Sequence, residues 1–143
     1  MRLQEEVEGI ISSREVSSDQ EVYLFTGSSS VRFWSSLAED YPKYQIVNTG
    51  FGGSTFPDLM HYQDDLIFRY KPKKIFIYEG DNDIFMEHTP MKVLENAQNL
   101  AATIRHRLPE ATIYFIAAKP SVARWELREH YNCLLYTSDA ADE

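Results

Sequence analysis

Short apolar runs alternate along the chain with segments in which apolar residues recur every three or four positions. The apolar runs predict strands at 22–25, 45–48, 75–78 and 112–117. The first run is rich in β-branched and aromatic residues and predicts a strand buried on both faces. The periodic segments predict helices at the N terminus, at about 30–40, from Pro57 onward, at about 90–108 and from about Val122. This alternation indicates an α/β fold in which a parallel sheet carries helices on both faces.

The most unusual loop sequences come directly after the predicted strands. They are Gly27-Ser28-Ser29, 49–54, Gly80-Asp81-Asn82-Asp83 and Lys119-Pro120-Ser121. In a parallel sheet the carboxyl ends of all strands lie at one edge, and ligand sites form there. We therefore expect the four loops to contribute to a single site.

Serine, glycine and asparagine residues of these loops are candidates for nucleophilic catalysis. Ser29 lies between a strand and a predicted helix, whose N-terminal N–H groups suit a developing oxyanion. Further candidate donors are the backbone N–H of Gly53 and the side-chain amide of Asn82. Each residue also fits a purely structural role, because serine caps helices and glycine and asparagine are common in turns. Because the three residues follow three different strands, the interpretation as one functional site is favoured over separate structural roles.

Composition and charge narrow the class of protein. A chain of 143 residues with 43% hydrophobic content fits one globular domain, and its net charge of -8 disfavours nucleic acid or an anionic membrane as a partner. No apolar stretch is long enough for a membrane helix, and the acidic N-terminal segment lacks a signal-peptide core, so a cytoplasmic location is expected. The single cysteine, Cys133, excludes a disulfide within the chain.

Other functional motifs fit the sequence poorly. A dinucleotide-binding motif would begin at Gly50, but Thr55 occupies the position of its third glycine. The acidic residues Glu79, Asp81 and Asp83 lack the spacing of a calcium loop and are expected to form a solvated turn. The four histidines show no paired metal-ligand spacing. The sequence therefore predicts neither a metal nor an organic cofactor.

Three of the loops together resemble the conserved blocks of the SGNH (GDSL) hydrolases. The stretch 25–34 resembles their first block, with Gly27-Ser28-Ser29 in place of Gly-Asp-Ser. The stretch 48–54 resembles the second block, and Gly80-Asp81-Asn82-Asp83 matches the third, Gly-x-Asn-Asp. The stretch 119–125 is similar to a segment found in one bacterial branch of the family. The resemblance extends from about residue 20 to residue 132, with the blocks in family order.

This resemblance implies a flavodoxin-like fold with three α/β/α layers and strand order 2-1-3-4-5. It assigns the role of nucleophile to Ser29. The oxyanion hole would be formed by the N–H groups of Ser29 and Gly53 and by the amide of Asn82, with Gly52 replacing Gly53 if the alignment shifts by one residue.

The family's remaining block, Asp-x-x-His, is missing after Trp125, although it supplies the general base and its orienting carboxylate. His130 is followed directly by Tyr131, in a predicted helix, and is not a candidate for this base. Residues 133–143 are similar to the in-frame translation of a transposon-end adapter used in shotgun sequencing libraries. We therefore expect 1–132 to be a partial SGNH hydrolase domain without its last strand and C-terminal helix, and 133–143 to be a non-native tail.

The activity implied by the resemblance is that of a serine esterase, lipase or acylhydrolase. Such an enzyme cleaves a carboxylic ester of a small molecule through an acyl-enzyme. The 143 residues as given are expected to be inactive, because the general base is not among them. Two alternatives remain open, an acyltransferase that uses the same site and a non-catalytic flavodoxin-like binding module. No oligomeric state is predicted.

Overall fold

A computed structural model describes residues 2–14, 16, 20–34 and 36–116, and these form a parallel four-stranded sheet covered by helices. The strands are β1 (Val22–Gly27), β2 (Gln45–Asn48), β3 (Lys74–Tyr78) and β4 (Thr112–Phe115). Their order across the sheet is β2-β1-β3-β4, and every pair is parallel. The predicted α/β fold is confirmed, and each strand bound lies within two residues of its predicted position.

The helices occupy the connections between strands. They are α1 (Arg2–Ser13), α2 (Ser29–Arg32), α3 (Leu37–Asp40), α4 (Phe56–His61), α5 (Gln63–Leu66), a 3-10 turn (Phe68–Tyr70), α6 (Asp81–Phe85) and α7 (Pro90–Arg107). The prediction for α7 is confirmed: the Thr89 side chain accepts the Lys92 N–H at 3.1 Å, and Pro90 occupies the first turn. None of the helices in the described ranges combines the length and apolar character needed to cross a membrane.

The prediction of one helix at about 30–40 is wrong, because α2 and α3 are separate. Asn48 at the end of β2 donates its side-chain N–H to the Val31 carbonyl at 2.7 Å. That carbonyl also accepts the Trp34 N–H. This bond joins residues three positions apart, as in a 3-10 turn, and it marks the end of α2. The Asp40 carboxylate then accepts hydrogen bonds from the side chains of Trp34 and Ser36. Polar side chains, one of them from another element, thus replace a continuous helical ladder.

The helical segment that follows Pro57 is also divided, although several of its apolar residues are buried. Leu59, Leu66 and Ile67 are fully buried, while the chain breaks between α4, α5 and the 3-10 turn. The start of α4 is fixed by a capping box in which Thr55 and Asp58 bond each other's backbone N–H groups. Helix α6 was not predicted, since its sequence was interpreted as a loop.

Apolar side chains pack on both faces of the sheet. Successive residues of a strand point to opposite faces, and in β1 Leu24 belongs to one buried cluster and Phe25 to another. The larger cluster includes Val7 and Ile10 of α1 together with residues of α4, α5 and α7. The sheet therefore lies between two layers, as the predicted three-layer architecture requires.

Strand β4 presents an apolar edge within the described residues. It pairs with β3, and no described strand pairs with its other side. Tyr114, Phe115 and Ile116 are 41%, 36% and 37% exposed. The loop at 119–121, the helix predicted from Val122 and the tail at 133–143 lie outside the described residues.

Candidate active site

The turn between β1 and α2 is held against the end of β3. Gly27 has φ +128°, and a Cβ atom there would lie 1.9 Å from the Tyr78 carbonyl oxygen. The N–H of Ser28 donates to this same oxygen at 3.0 Å. Only glycine fits this backbone conformation and this close approach. Ser29 follows as the first residue of α2, at the carboxyl end of β1.

The loop between β2 and α4 packs directly on this turn. The Phe51 N–H donates to the Gly27 carbonyl at 2.8 Å, and the Phe51 side chain is fully buried. Gly50 lies so close to α2 that a Cβ atom there would be 2.6 Å from the Arg32 backbone nitrogen. The first and second loops after the strands are therefore in contact through their backbones.

The two glycines of this second loop differ in their partners. The Gly52 N–H donates to the Glu6 Oε1 atom of α1 at 3.1 Å. Gly53 is exposed and has φ +76°, a left-handed conformation that favours glycine. The Gly52 N–H is thus engaged by a neighbouring helix, whereas Gly53 lies at the surface of the site.

Asn82 connects the third loop to the second. It is the second residue of α6, which follows Gly80 with φ +108°. Its Nδ2 atom donates to the Ser54 carbonyl at 2.9 Å, one residue beyond Gly53. Hydrogen bonds thus link the loops that carry Ser29, Gly53 and Asn82, at the carboxyl ends of β1, β2 and β3.

The interpretation of Glu79 and Asp83 as part of a solvated turn is wrong, because they are 4% and 0% exposed. The Glu79 Oε2 atom accepts the Ser54 hydroxyl at 2.8 Å. The Asp83 carboxylate accepts the Phe56 N–H at 3.1 and 3.2 Å. Both acids therefore hold the segment after β3 against the second loop and the start of α4. Their partners lie more than twenty residues earlier in the chain, so local sequence gave no signal for this burial.

Burial raises the pKa of the Asp83 carboxyl above its ordinary value, while the Phe56 N–H and the nearby His88 act in the opposite direction. The His88 Nδ1 atom lies 3.6 Å from Asp83 Oδ2, and its side chain is one-third exposed. The His88 backbone N–H also donates to the Asp83 carbonyl at 2.9 Å. Sequence analysis missed this contact, whose only signal is a carboxylate five residues before an imidazole.

The remaining histidines and acids form no metal site in the part of the chain that the structure describes. No group of three or more His, Cys, Asp or Glu side chains there could hold an ion. His61 and His106 lie in α4 and α7, within helices as predicted, and His61 packs edge-on against Tyr62. His130 and Cys133 lie outside the described residues.

Comparison with known proteins gives a family match over most of the chain. The model of the GDSL-like Lipase/Acylhydrolase family matches residues 17–137. No curated protein matches the chain.

Solved structures share the fold. A Streptococcus pneumonia structure, whose description names platelet activating factor, has TM-score 0.80 at 19% identity, over 99% of this chain and 71% of its own. A GDSL-like lipase from Bacteroides thetaiotaomicron has a TM-score of 0.73 at 11% identity, and the match covers 98% of this chain and 74% of the lipase. An acetylxylan esterase from Geobacillus stearothermophilus has a TM-score of 0.63 at 15% identity, and the match covers 91% of this chain and 76% of the esterase. At these identities the likeness shows a common fold.

Proposed function

The chain belongs to the family of GDSL-like lipases and acylhydrolases, and we propose that it carries the site of a serine ester hydrolase. The substrate is a small molecule with a carboxylic ester, and the reaction passes through an acyl-enzyme on Ser29. One structural neighbour is described as an acetylxylan esterase, so short acyl esters are the first substrates to test.

The proposed reaction begins when the Ser29 hydroxyl oxygen attacks the acyl carbon. The resulting oxyanion accepts hydrogen bonds from the N–H groups of Ser29 and Gly53 and from the Asn82 amide. Collapse of this intermediate expels the alcohol, and water then attacks the acyl-enzyme to release the acid. An acyltransferase would differ only in the acceptor, which would be a second alcohol in place of water.

One observation carries the proposal, the hydrogen bond between Asn82 Nδ2 and the Ser54 carbonyl. An amide nitrogen carries two hydrogens in one plane, and this bond fixes the plane beside the loop of Gly53. The engagement of the Gly52 N–H by Glu6 supports Gly53 over Gly52 as the backbone donor of this loop. Donors fixed before the reaction stabilise a developing charge without a reorganisation cost.

The proton on Ser29 needs a general base, and His88 is the first histidine after the third loop. Its Nδ1 atom lies 3.6 Å from the Asp83 carboxylate. Asp83 itself accepts the Phe56 N–H and is bound to the start of α4. The expectation that the sequence as given is inactive rests on the missing Asp-x-x-His block.

The proposal is tested by labelling the complete gene product with a fluorophosphonate probe. Labelling that is lost in Ser29→Ala supports the enzyme, and no labelling of the unmodified protein supports the binding module. Ser28→Ala is the matched control, since Ser28 is 1% exposed and its hydroxyl has no hydrogen-bond partner among the described residues. Adding an alcohol acceptor and measuring the transesterified product distinguishes an acyltransferase from a hydrolase.

A further inference from the structure

Glu6 contacts two parts of the site from a helix outside the family match. The match begins at residue 17, whereas Glu6 lies in α1, Arg2–Ser13. Its Oε1 atom accepts the Gly52 N–H at 3.1 Å and also pairs with the guanidinium of Arg32. One carboxylate oxygen therefore bridges the second loop and the helix that begins at Ser29.

The helix that carries Glu6 is firmly attached to the domain. Val7 and Ile10 of α1 are 2% and 5% exposed and belong to the main hydrophobic core. The Glu6 side chain is only 16% exposed, compared with 39% for Arg32. A hydrogen bond from a backbone N–H to a carboxylate is stronger than one between neutral groups. Glu6 can therefore act as a fixed anchor for the loop.

We propose that Glu6 is a positioning residue, which sets the orientation of the Gly53 N–H relative to Ser29. Gly52 directly precedes Gly53, so fixing the Gly52 N–H restricts the direction of the next peptide N–H. Arg32 lies three residues after Ser29 in the same four-residue helix. This inference rests on the proposed function, because it concerns the oxyanion donor of that reaction.

Other contacts also hold this loop, and they limit how much Glu6 contributes. The Phe51 N–H donates to the Gly27 carbonyl, and the Ser54 carbonyl accepts the Asn82 side-chain N–H. The Asn48 side chain donates to the Val31 carbonyl and accepts the Gly50 N–H at 2.9 Å. These bonds fix the beginning of the loop, before Gly52. The hydrogen bond from Gly52 to Glu6 connects α1 with the residue that precedes Gly53. We therefore expect the loss of Glu6 to change the orientation of the Gly53 N–H more than the stability of the fold.

Three substitutions distinguish the contribution of the Glu6–Gly52 hydrogen bond from that of the Glu6–Arg32 ion pair. Glu6→Gln keeps an oxygen that accepts the Gly52 N–H but removes the charge that pairs with Arg32. Glu6→Ala removes both bonds, and Arg32→Met removes only the ion pair. Of the two bonds, the one to the Gly52 N–H is the bond that reaches the loop. We therefore expect Glu6→Ala to lower kcat by about tenfold, part of the loss for a missing oxyanion donor. We expect Glu6→Gln and Arg32→Met to lower kcat by less than about threefold.

The experiment measures kcat and KM for a short-chain nitrophenyl ester, together with Tm, in the complete gene product. Glu5→Ala is the matched control, because Glu5 is an exposed residue of the same helix. A fall in kcat at constant KM indicates an interaction made in the transition state. A kcat for Glu6→Ala equal to that of Glu5→Ala would overturn the inference.

A second readout does not depend on activity. Glu6→Ala should accelerate hydrogen exchange at the Gly52 amide, while Glu5→Ala should leave it unchanged. If the wild-type protein hydrolyses no faster than Ser29→Ala, the proposed function fails, and the exchange measurement still decides whether Glu6 holds the loop. Unchanged exchange at Gly52 in Glu6→Ala would refute the inference in either case.

Discussion

Replacing Asn82 by alanine in the complete gene product should reduce turnover far more than it reduces stability. The substitution removes the ground-state hydrogen bond from Asn82 Nδ2 to the Ser54 carbonyl. A neutral hydrogen bond of this kind contributes about 1 kcal/mol, which corresponds to a fall in Tm of about 3–5 °C for a domain of this size. Losing an oxyanion donor costs about 100- to 1,000-fold in kcat, or about 3–4 kcal/mol.

The assay compares kcat and KM for a short-chain nitrophenyl ester in the wild type, Asn82→Ala and Asn99→Ala. Asn99 is exposed on α7 and serves as the matched control. We expect kcat to fall for Asn82→Ala alone, with little change in KM, because the donor acts on charge that develops in the transition state. Near-normal kcat in Asn82→Ala would refute the assignment of this residue to the oxyanion hole.

Three further predictions concern the chain as given. Because burial raises the pKa of the Asp83 carboxyl, its contribution to stability is present below the ordinary carboxyl pKa and is lost as pH rises through the raised value. The Tm of Asp83→Asn should therefore rise relative to that of the wild type as pH increases above the ordinary carboxyl pKa of about 4. A Tm difference that does not change with pH would contradict this prediction. The exposed apolar edge of β4 should cause the chain to self-associate, as measured by sedimentation velocity. Ile116→Lys should reduce this association. A monodisperse monomer would contradict the prediction. The 143 residues should hydrolyse nitrophenyl esters no faster than their Ser29→Ala variant, and substantial Ser29-dependent activity would show a general base within the chain, with His88→Ala as the first variant to examine.

The strand order was implied by the resemblance to the SGNH hydrolases. The positions of the strands followed from local sequence, because a buried parallel strand needs only a short apolar run between turn residues. The break between α2 and α3 did not, since it depends on Asn48, a residue seventeen positions away from its Val31 partner. The same limit applies to Glu6, which meets Gly52 across forty-six positions. Periodicity reports which face of an element is apolar, and it contains no information on which polar side chain will reach a distant backbone group.

Four polar contacts around the candidate site share one arrangement. In each, a side chain from one segment bonds the backbone of another: Asn48 to Val31, Glu6 to Gly52, Asn82 to Ser54 and Asp83 to Phe56. Backbone N–H and C=O groups in the loops at the carboxyl ends of the strands have no neighbouring strand to pair with. Those that are buried need other hydrogen-bond partners. Satisfying them with side chains from other segments also fixes the loops relative to one another. In the proposed reaction, loops fixed in this way would hold the N–H donors in position before the ester binds.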